Sequence, residues 1–337
     1  MIEILSSAAL STVQDQGRDG YLRYGVGTSG AMDRIALTVA NLLLGNSSDA
    51  AAIEIPIFPF RVRFLEDTAF ALTGADCLAT LDERSILPWW TVQAKKGQVL
   101  RLGSPAVGAR CYLALAGGVD TPMVLGSRST QLRGEFGGFQ GRNLRKGDVI
   151  GAIGPHAAQA KLSDAGMPEF GVEPPNFFLT SPSPVPPGDA EATVVRVLPA
   201  GEYDCYEAAS LEAFWREDWK VTPDSDRYGY RLAGPTLNSR SAIEKRSHGI
   251  VPGVIQVPHR GQPIIQLRDA QPSGGYPKIG TVIEADLWRI GQTRIGSRLR
   301  FVKTSYEDAL SALAENERYL DKVANLVALY RSSLLTT

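Results

Sequence analysis

Six residues, Asp226-Arg227-Tyr228-Gly229-Tyr230-Arg231, hold two cations, one carboxylate and two phenols. Strand alternation sends Asp226, Tyr228 and Tyr230 to one face and leaves Arg227 and Arg231 off it. Further along, in Pro252–Asp286, short apolar runs are cut by turns, and Gln256, Asp269, Gln271 and Tyr276 stand against those turns. Short strands with polar groups at their ends are how a β scaffold presents a site. A carboxylate in a closed β cleft can have a raised pKa and do acid–base chemistry. Asp269 is therefore the first candidate general base and Asp226 the second, with Tyr276 placed beside them as a catalytic phenol. Arg231 offers a planar fork for a substrate carboxylate, and Gln256 and Gln271 offer amides. Gly274-Gly275 would let backbone approach a ligand closely. The competing reading is an exposed hairpin salt bridge, which contributes little.

The N-terminal half supplies a second set. In Gly126-Ser127-Arg128-Ser129-Thr130 the guanidinium of Arg128 suits a carboxylate or phosphate. The alternative is an arginine that braces a turn against a nearby Asp. Gly25-x-Gly27-x-x-Gly30 leads into a helix and puts Ser29 and Asp33 at its N-terminus, where an anion is favoured. Simple capping by either residue explains the same pattern. The glycine spacing matches a dinucleotide fingerprint, but GRDGYLRY ahead of it is not the buried strand a βαβ unit needs. A nucleophile elbow around Ser29 lacks that strand too. His156, His248 and His259 have no close helical spacing and no Cys-x-x-Cys is present, so no metal is expected. No Gly-Lys-Ser or Gly-Lys-Thr occurs, which removes a Walker-type phosphate loop.

These residues need a β-rich frame. Phe60–Phe64, Ala69–Thr73, Val99–Leu102 and Arg110–Ala116 read as short strands at the spacing of a barrel or sandwich. One helix is expected at Met32–Leu44, ended by Gly45-Asn46. Strand patterning returns at Thr193–Leu198 and runs to Val302, with a helical interlude at Ala208–Glu217. The expected organisation is a β-barrel-like domain over 1–154, a proline-rich connector over 155–190, a second β-barrel-like domain over 191–303 and a C-terminal helix over 304–337. Ser305 followed by Asp308 approximates a capping box for that helix. Leu313, Leu320 and Val327 recur along it every seven residues.

The chain has 337 residues, enough for two cores. A net charge of −1 gives no reason to expect nucleic acid or an anionic membrane as partner. The first residues, with Glu3 and no basic region, do not read as a signal peptide. Three scattered cysteines, Cys77, Cys111 and Cys205, fit a reducing, cytoplasmic setting better than a disulfide framework.

Several phrases are specific enough to recognise: TVQDQGRDGY (12–21), GVGTSGAMD (25–33), GNSSDAAAIE (45–54), LTGAD (72–76), AGGVDTPMVLGSRST (116–130) and GGFQGRNLRKGD (137–148). With Asp224–Pro235 and Pro252–Asp286, they resemble the allophanate hydrolase subunit 2 family of biotin-dependent carboxyltransferases, over most of the chain. Pro272 departs from the family, which usually has Thr there, and so does Ile295-Gly296, where the family has Pro-Gly. The resemblance implies paired cyclophilin-like barrels. It also implies one of two activities: ATP-driven opening of 5-oxoproline to glutamate by a three-component enzyme, or the carboxyltransferase half-reaction of a biotin-dependent urea or amide carboxylase. ATP would be supplied or shared through the other two components of that enzyme, a subunit-1-like protein (its B component) and an A component. Biotin would matter only for the second activity. Some relatives are instead regulators that bind a subunit-1-like kinase inhibitor.

Overall fold

The computed structural model describes residues 1–154, 169–175, 192–241 and 246–335. Of the proline-rich stretch 155–190, only 169–175 is among them. The chain divides into two compact units, and the division is not a single cut. The first unit comprises Met1–Arg18, Ser29–Leu179 and Glu317–Thr337, and the second comprises Asp19–Thr28 and Thr180–Asn316.

In the first unit, a seven-stranded sheet has Ile2–Ser6, Phe60–Phe64 and Val99–Leu102 at its middle. A five-stranded sheet runs in the order Thr12–Gln14, Ala52–Ile55, Val107–Leu115, Thr68–Asp76, Trp90–Ala94. Alternation along the strands decides what each face of the smaller sheet carries. Val13, Ile53, Ile55, Cys111, Leu113 and Leu72 enter a shared apolar core with Ile2, Ile4, Phe60, Val62 and Phe64. The residues between them form a row across the sheet, where Thr12 pairs with Glu54, Glu54 with Tyr112 and Tyr112 with Thr73. All four are fully buried.

Helix α1, Arg34–Leu44, covers that polar row, and Thr73 Oγ1 donates to the Ala36 carbonyl at 2.7 Å. Asp33 caps the helix, taking the Ala36 amide at 2.9 Å, and Gly45 closes it in the left-handed region. The helix starts two residues later than the periodicity suggests because Asp33 is its cap and not its first turn.

The second unit holds a closed barrel. Its order is Thr193–Pro199, Lys278–Val282, Val254–Gln256, Ile264–Gln266, Gly229–Ala233, Asp218–Val221 and Arg298–Lys303, which returns parallel onto Thr193–Pro199. Closure removes the edges an open sheet would expose. Helix α2, Ala208–Arg216, buries Phe214 against Phe301 and Trp219. A single turn, α3, covers Leu287–Gly291. Helix α4, Tyr306–Leu335, opens with Ser305 Oγ accepting the Asp308 amide at 3.1 Å. The mainly β architecture with a long C-terminal helix is thus what the chain adopts. Among the described residues no helix is long and apolar enough to cross a membrane.

Candidate functional site

Arg227 and Asp269 form a buried, two-pronged ion pair in the second unit. Nε of Arg227 donates to Oδ2 at 2.9 Å and Nη2 to Oδ1 at 3.1 Å, with both side chains buried. The Asp269 amide also donates to the Arg227 carbonyl. The pair therefore staples the turn before Gly229–Ala233 to the loop after Ile264–Gln266. Both Asp269 oxygens are occupied by one guanidinium, which is a poor arrangement for a proton acceptor. Protonating Asp269 would take a buried countercharge away from Arg227.

Asp226 is different. It lies outside the strand, not in alternation with Tyr228 and Tyr230, and it is exposed. Its Oδ1 accepts the Tyr228 and Gly229 amides at 2.8 and 3.3 Å, which closes an Asx turn. Oδ2 has no partner among the described residues. Arg231, on the same hairpin, is exposed, and among the described residues nothing accepts from its guanidinium. Tyr230 points inward instead, its hydroxyl donating to the Thr293 carbonyl at 3.0 Å.

Arg231, Ile264, Gln256 and Lys278 stand at one level of the barrel through successive pairings. Gln256 is buried there, its Nε2 donating to the Tyr276 carbonyl at 3.4 Å. A Cβ on Gly274 would come within 2.8 Å of Gln256 Nε2. The glycine thus lets the loop lie on the Gln256 amide, a use for its bare backbone that involves no ligand. Gln271 and Tyr276 are exposed, and the Tyr276 ring meets the His259 ring edge-on at 6.3 Å.

In the first unit, the turn 29–33 has every amide after Ser29 engaged. Gly30 donates to Gln14 Oε1 at 3.1 Å, Ala31 to the Asp15 carbonyl at 2.9 Å, Met32 to Glu54 Oε2 at 2.8 Å and Asp33 to the Tyr112 hydroxyl at 2.8 Å. An anion at this helix N-terminus would find its donors taken and two carboxylates, Asp33 and Glu54, nearby. That geometry favours capping by Asp33 over anion binding. Ser29 is the exception within the turn. It sits at φ +51°, fully buried, and its hydroxyl is unpartnered among the described residues. Such a backbone conformation is uncommon outside glycine and marks a constrained turn.

Arg128 is braced locally. Nη1 donates to the Thr121 carbonyl and lies 3.6 Å from Asp120, while its backbone amide donates to Asp15 at 2.5 Å. Asp15 also accepts from Ser127 and Ser129 hydroxyls at 2.7 and 2.5 Å and from the Gly17 amide at 2.8 Å. The turn-bracing reading of Arg128 is the one its contacts match.

Sequence reasoning passed over Asp15, Arg18, Glu54, Tyr112 and the role of Arg227. Arg18 is almost fully buried, donating to the Ser129 carbonyl at 2.5 Å with its guanidinium 4.9 Å from the Phe136 ring centre. The available signal was a charge inside an apolar run, as in Ala52-Ile53-Glu54-Ile55, since such charges are almost never buried unpaired. Glu54 takes the Tyr112 hydroxyl at 2.6 Å, and Arg110 stands 3.9 Å away. Burial, then the Glu54 and Asp33 charges, hold the Tyr112 phenol well above its usual pKa, so it stays a neutral donor. Among the described residues no group of three or more His, Cys, Asp or Glu could hold a metal.

Comparison with known proteins supplies the frame. The chain is 41% identical to the C subunit of 5-oxoprolinase from Escherichia coli, over 96% of this chain and 98% of that one. It is 38% identical to the same-named protein of Haemophilus influenzae, over 97% and 99%. It is 35% identical to urea amidolyase of Lachancea kluyveri over 91% of its length, but spans only 17% of that protein. Among solved structures, Kluyveromyces lactis urea carboxylase matches with a TM-score of 0.83 and 31% identity, covering 96% of this chain and 29% of that one. Residues 24–303 match the model described as carboxyltransferase domain, subdomain A and B, and the chain belongs to that family.

Proposed function

We propose that this chain is one component of an ATP-dependent 5-oxoprolinase that opens 5-oxo-L-proline to L-glutamate. The observation that carries this reading is end-to-end similarity to two proteins named as the C subunit of 5-oxoprolinase, at 41% and 38% identity. Water adds to the lactam carbonyl, the ring C–N bond breaks, and the nitrogen takes up a proton to become the product amine. The substrate brings one carboxylate and one lactam, so the site needs a cation and a proton-handling group. Arg231, exposed and without an acceptor among the described residues, is the better placed of the two arginines to hold the carboxylate, because Arg128 is spent on its own loop. Asp226, whose Oδ2 has no partner among the described residues, is better placed than Asp269 to manage the proton. Gln271 and Tyr276, exposed polar groups of the same unit, complete the proposed set, and Gln256 donates to the Tyr276 carbonyl. In the first unit, the Ser29 hydroxyl, without a partner among the described residues, is a further substrate contact in this reading.

The chain has no Gly-Lys-Ser or Gly-Lys-Thr phosphate loop, so this reading places ATP with the partners, the subunit-1-like B component and the A component. The complex would work in the cytoplasm, where ATP is available. Carboxyl transfer to a urea-like nitrogen, with biotin as the carrier, is the second reading. The structural likeness to urea carboxylase favours it. One assay separates the two: glutamate release from 5-oxoproline with ATP and both partners present, with this chain added or omitted. Dependence on the chain supports the first reading. Release that is unchanged by omission sinks it.

A further inference from the structure

We propose that Glu54 and Tyr112 are positioning residues for the reaction, acting through the Ser29 hydroxyl. The inference rests on the reading that Ser29 contacts the substrate. Sheet register puts Glu54 directly opposite Tyr112, so their side chains share the face that α1 covers. Tyr112 donates to Glu54 Oε2 and accepts the Asp33 amide, while the same Oε2 accepts the Met32 amide. Two neighbouring amides of the turn are thus tied to one cross-strand pair. Gln14 and the Asp15 carbonyl tie the two amides before them.

Close packing leaves the turn no slack. A Cβ at Gly30 would come within 2.9 Å of Gln16 O and of Gly17 Cα and N. The polar group left over is Ser29 Oγ, fully buried and without a partner among the described residues. A buried hydroxyl that makes no hydrogen bond is costly and calls for an explanation. Here it is fixed in place by a turn whose amides from Gly30 to Asp33 are all engaged. In a low dielectric such a group offers a ligand more than it would in water. Glu54 Oε2 accepts from both Tyr112 and the Met32 amide, the Tyr112 hydroxyl both donates and accepts, and neither residue touches substrate in this account. Their part is to hold Ser29 at one position.

A double-mutant cycle on glutamate release by the complete, ATP-supplied complex tests this. Ser29→Ala is expected to lower kcat/KM by about 10-fold, the scale of one hydrogen bond. Tyr112→Phe is expected to lower it by a similar factor in the wild-type background and by less than about 2-fold in Ser29→Ala, because neighbours that act through one another are not additive. Hydrogen exchange at the 30–33 amides should rise in Tyr112→Phe and not in Ser29→Ala. If Tyr112→Phe fails to fold, the same cycle is run with Glu54→Gln, which keeps an oxygen for both donors and should recover most of the rate lost in Glu54→Leu. A full Tyr112 effect on top of Ser29→Ala overturns the positioning role alone. A wild-type rate for Ser29→Ala overturns the substrate role of Ser29 and this proposal with it.

Discussion

The Thr12–Glu54–Tyr112–Thr73 row and the Asp226–Arg231 hairpin are both dense in polar groups, yet they treat those groups in opposite ways. Along the row, the Glu54 and Tyr112 oxygens meet designated partners and the residues are closed to solvent. On the hairpin, Asp226 spends one oxygen on its own turn, its other oxygen has no partner among the described residues, and Arg231 is exposed. Asp269, tied to the start of the hairpin through Arg227, belongs with the row in character, since that guanidinium takes both of its oxygens. Polar density is therefore no guide by itself. Buried groups with full complements hold a fold in register, whereas groups with unspent valences are the ones a substrate can recruit.

The sharpest way to break this contrast is to exchange roles between the two carboxylates. Asp269→Ala should lower stability by about 3–5 kcal/mol, the cost of removing one member of a buried ion pair. Asp226→Asn keeps an oxygen for the Tyr228 and Gly229 amides and should change stability by less than about 0.5 kcal/mol. Chemical denaturation of the two variants beside the wild type measures both. Equal losses would mean that Asp269 is not the structural member.

A smaller effect is expected at the other end of α1. Arg331 of α4 donates to the Leu43 carbonyl at 2.7 Å, answering one of the carbonyls a helix leaves open at its C-terminus. Tyr319, twelve residues earlier on α4, lies close enough to Asp33 at the opposite end of α1 for that charge, after burial, to help raise its phenol pKa. Twelve residues rise about 18 Å and the eleven of α1 about 16 Å, so the second part of α4 matches α1 in length. Arg331→Met should cost about 1–2 kcal/mol through the lost carbonyl contact and helix-terminus charge. Thermal unfolding would record it, and an unchanged midpoint would show that α4 does not brace α1.

The smallest effect tests the electrostatics of a surface turn. Arg142, by hydrogen bonding first and by charge after, holds the Asp148 carboxyl below its usual pKa, and Asp148 also takes the Arg145 amide. A lowered folded-state pKa contributes stability above the unfolded value of about 3.9 and loses it as pH falls through the lower folded value. Asp148→Asn should therefore be less stable than wild type at pH 7, by about 1 kcal/mol for a half-buried pair that water still reaches. The gap should close below about pH 4. A gap that persists at pH 2 would assign the contribution to something other than charge.

Local signals in the sequence carried over well. Phe60–Phe64 and Val99–Leu102 are strands at the residues their patterns indicate, and Asp33 and Gly45 bracket a helix as capping chemistry requires. Pairings that depend on register were not legible. Glu54 and Tyr112 lie 58 residues apart and Arg227 and Asp269 lie 42 apart, and nothing local specifies either match. A one-residue slip in pairing would move each side chain to the other face. That is why Asp269 reads from sequence as an open carboxylate and Glu54 draws no notice. The GSRST loop was ambiguous for the same reason, since its acceptor Asp15 arrives from more than a hundred residues away.

The central claim is that the working carboxylate is Asp226 and that Asp269 serves the fold. Glutamate release from 5-oxoproline by the complete complex, with ATP and Asp226→Asn in place of the wild-type chain, tests it most directly. The account predicts a loss of about 10²-fold or more, the usual cost of removing a group that handles a proton, with the complex still assembled. Release at the wild-type rate from an assembled Asp226→Asn complex would contradict it.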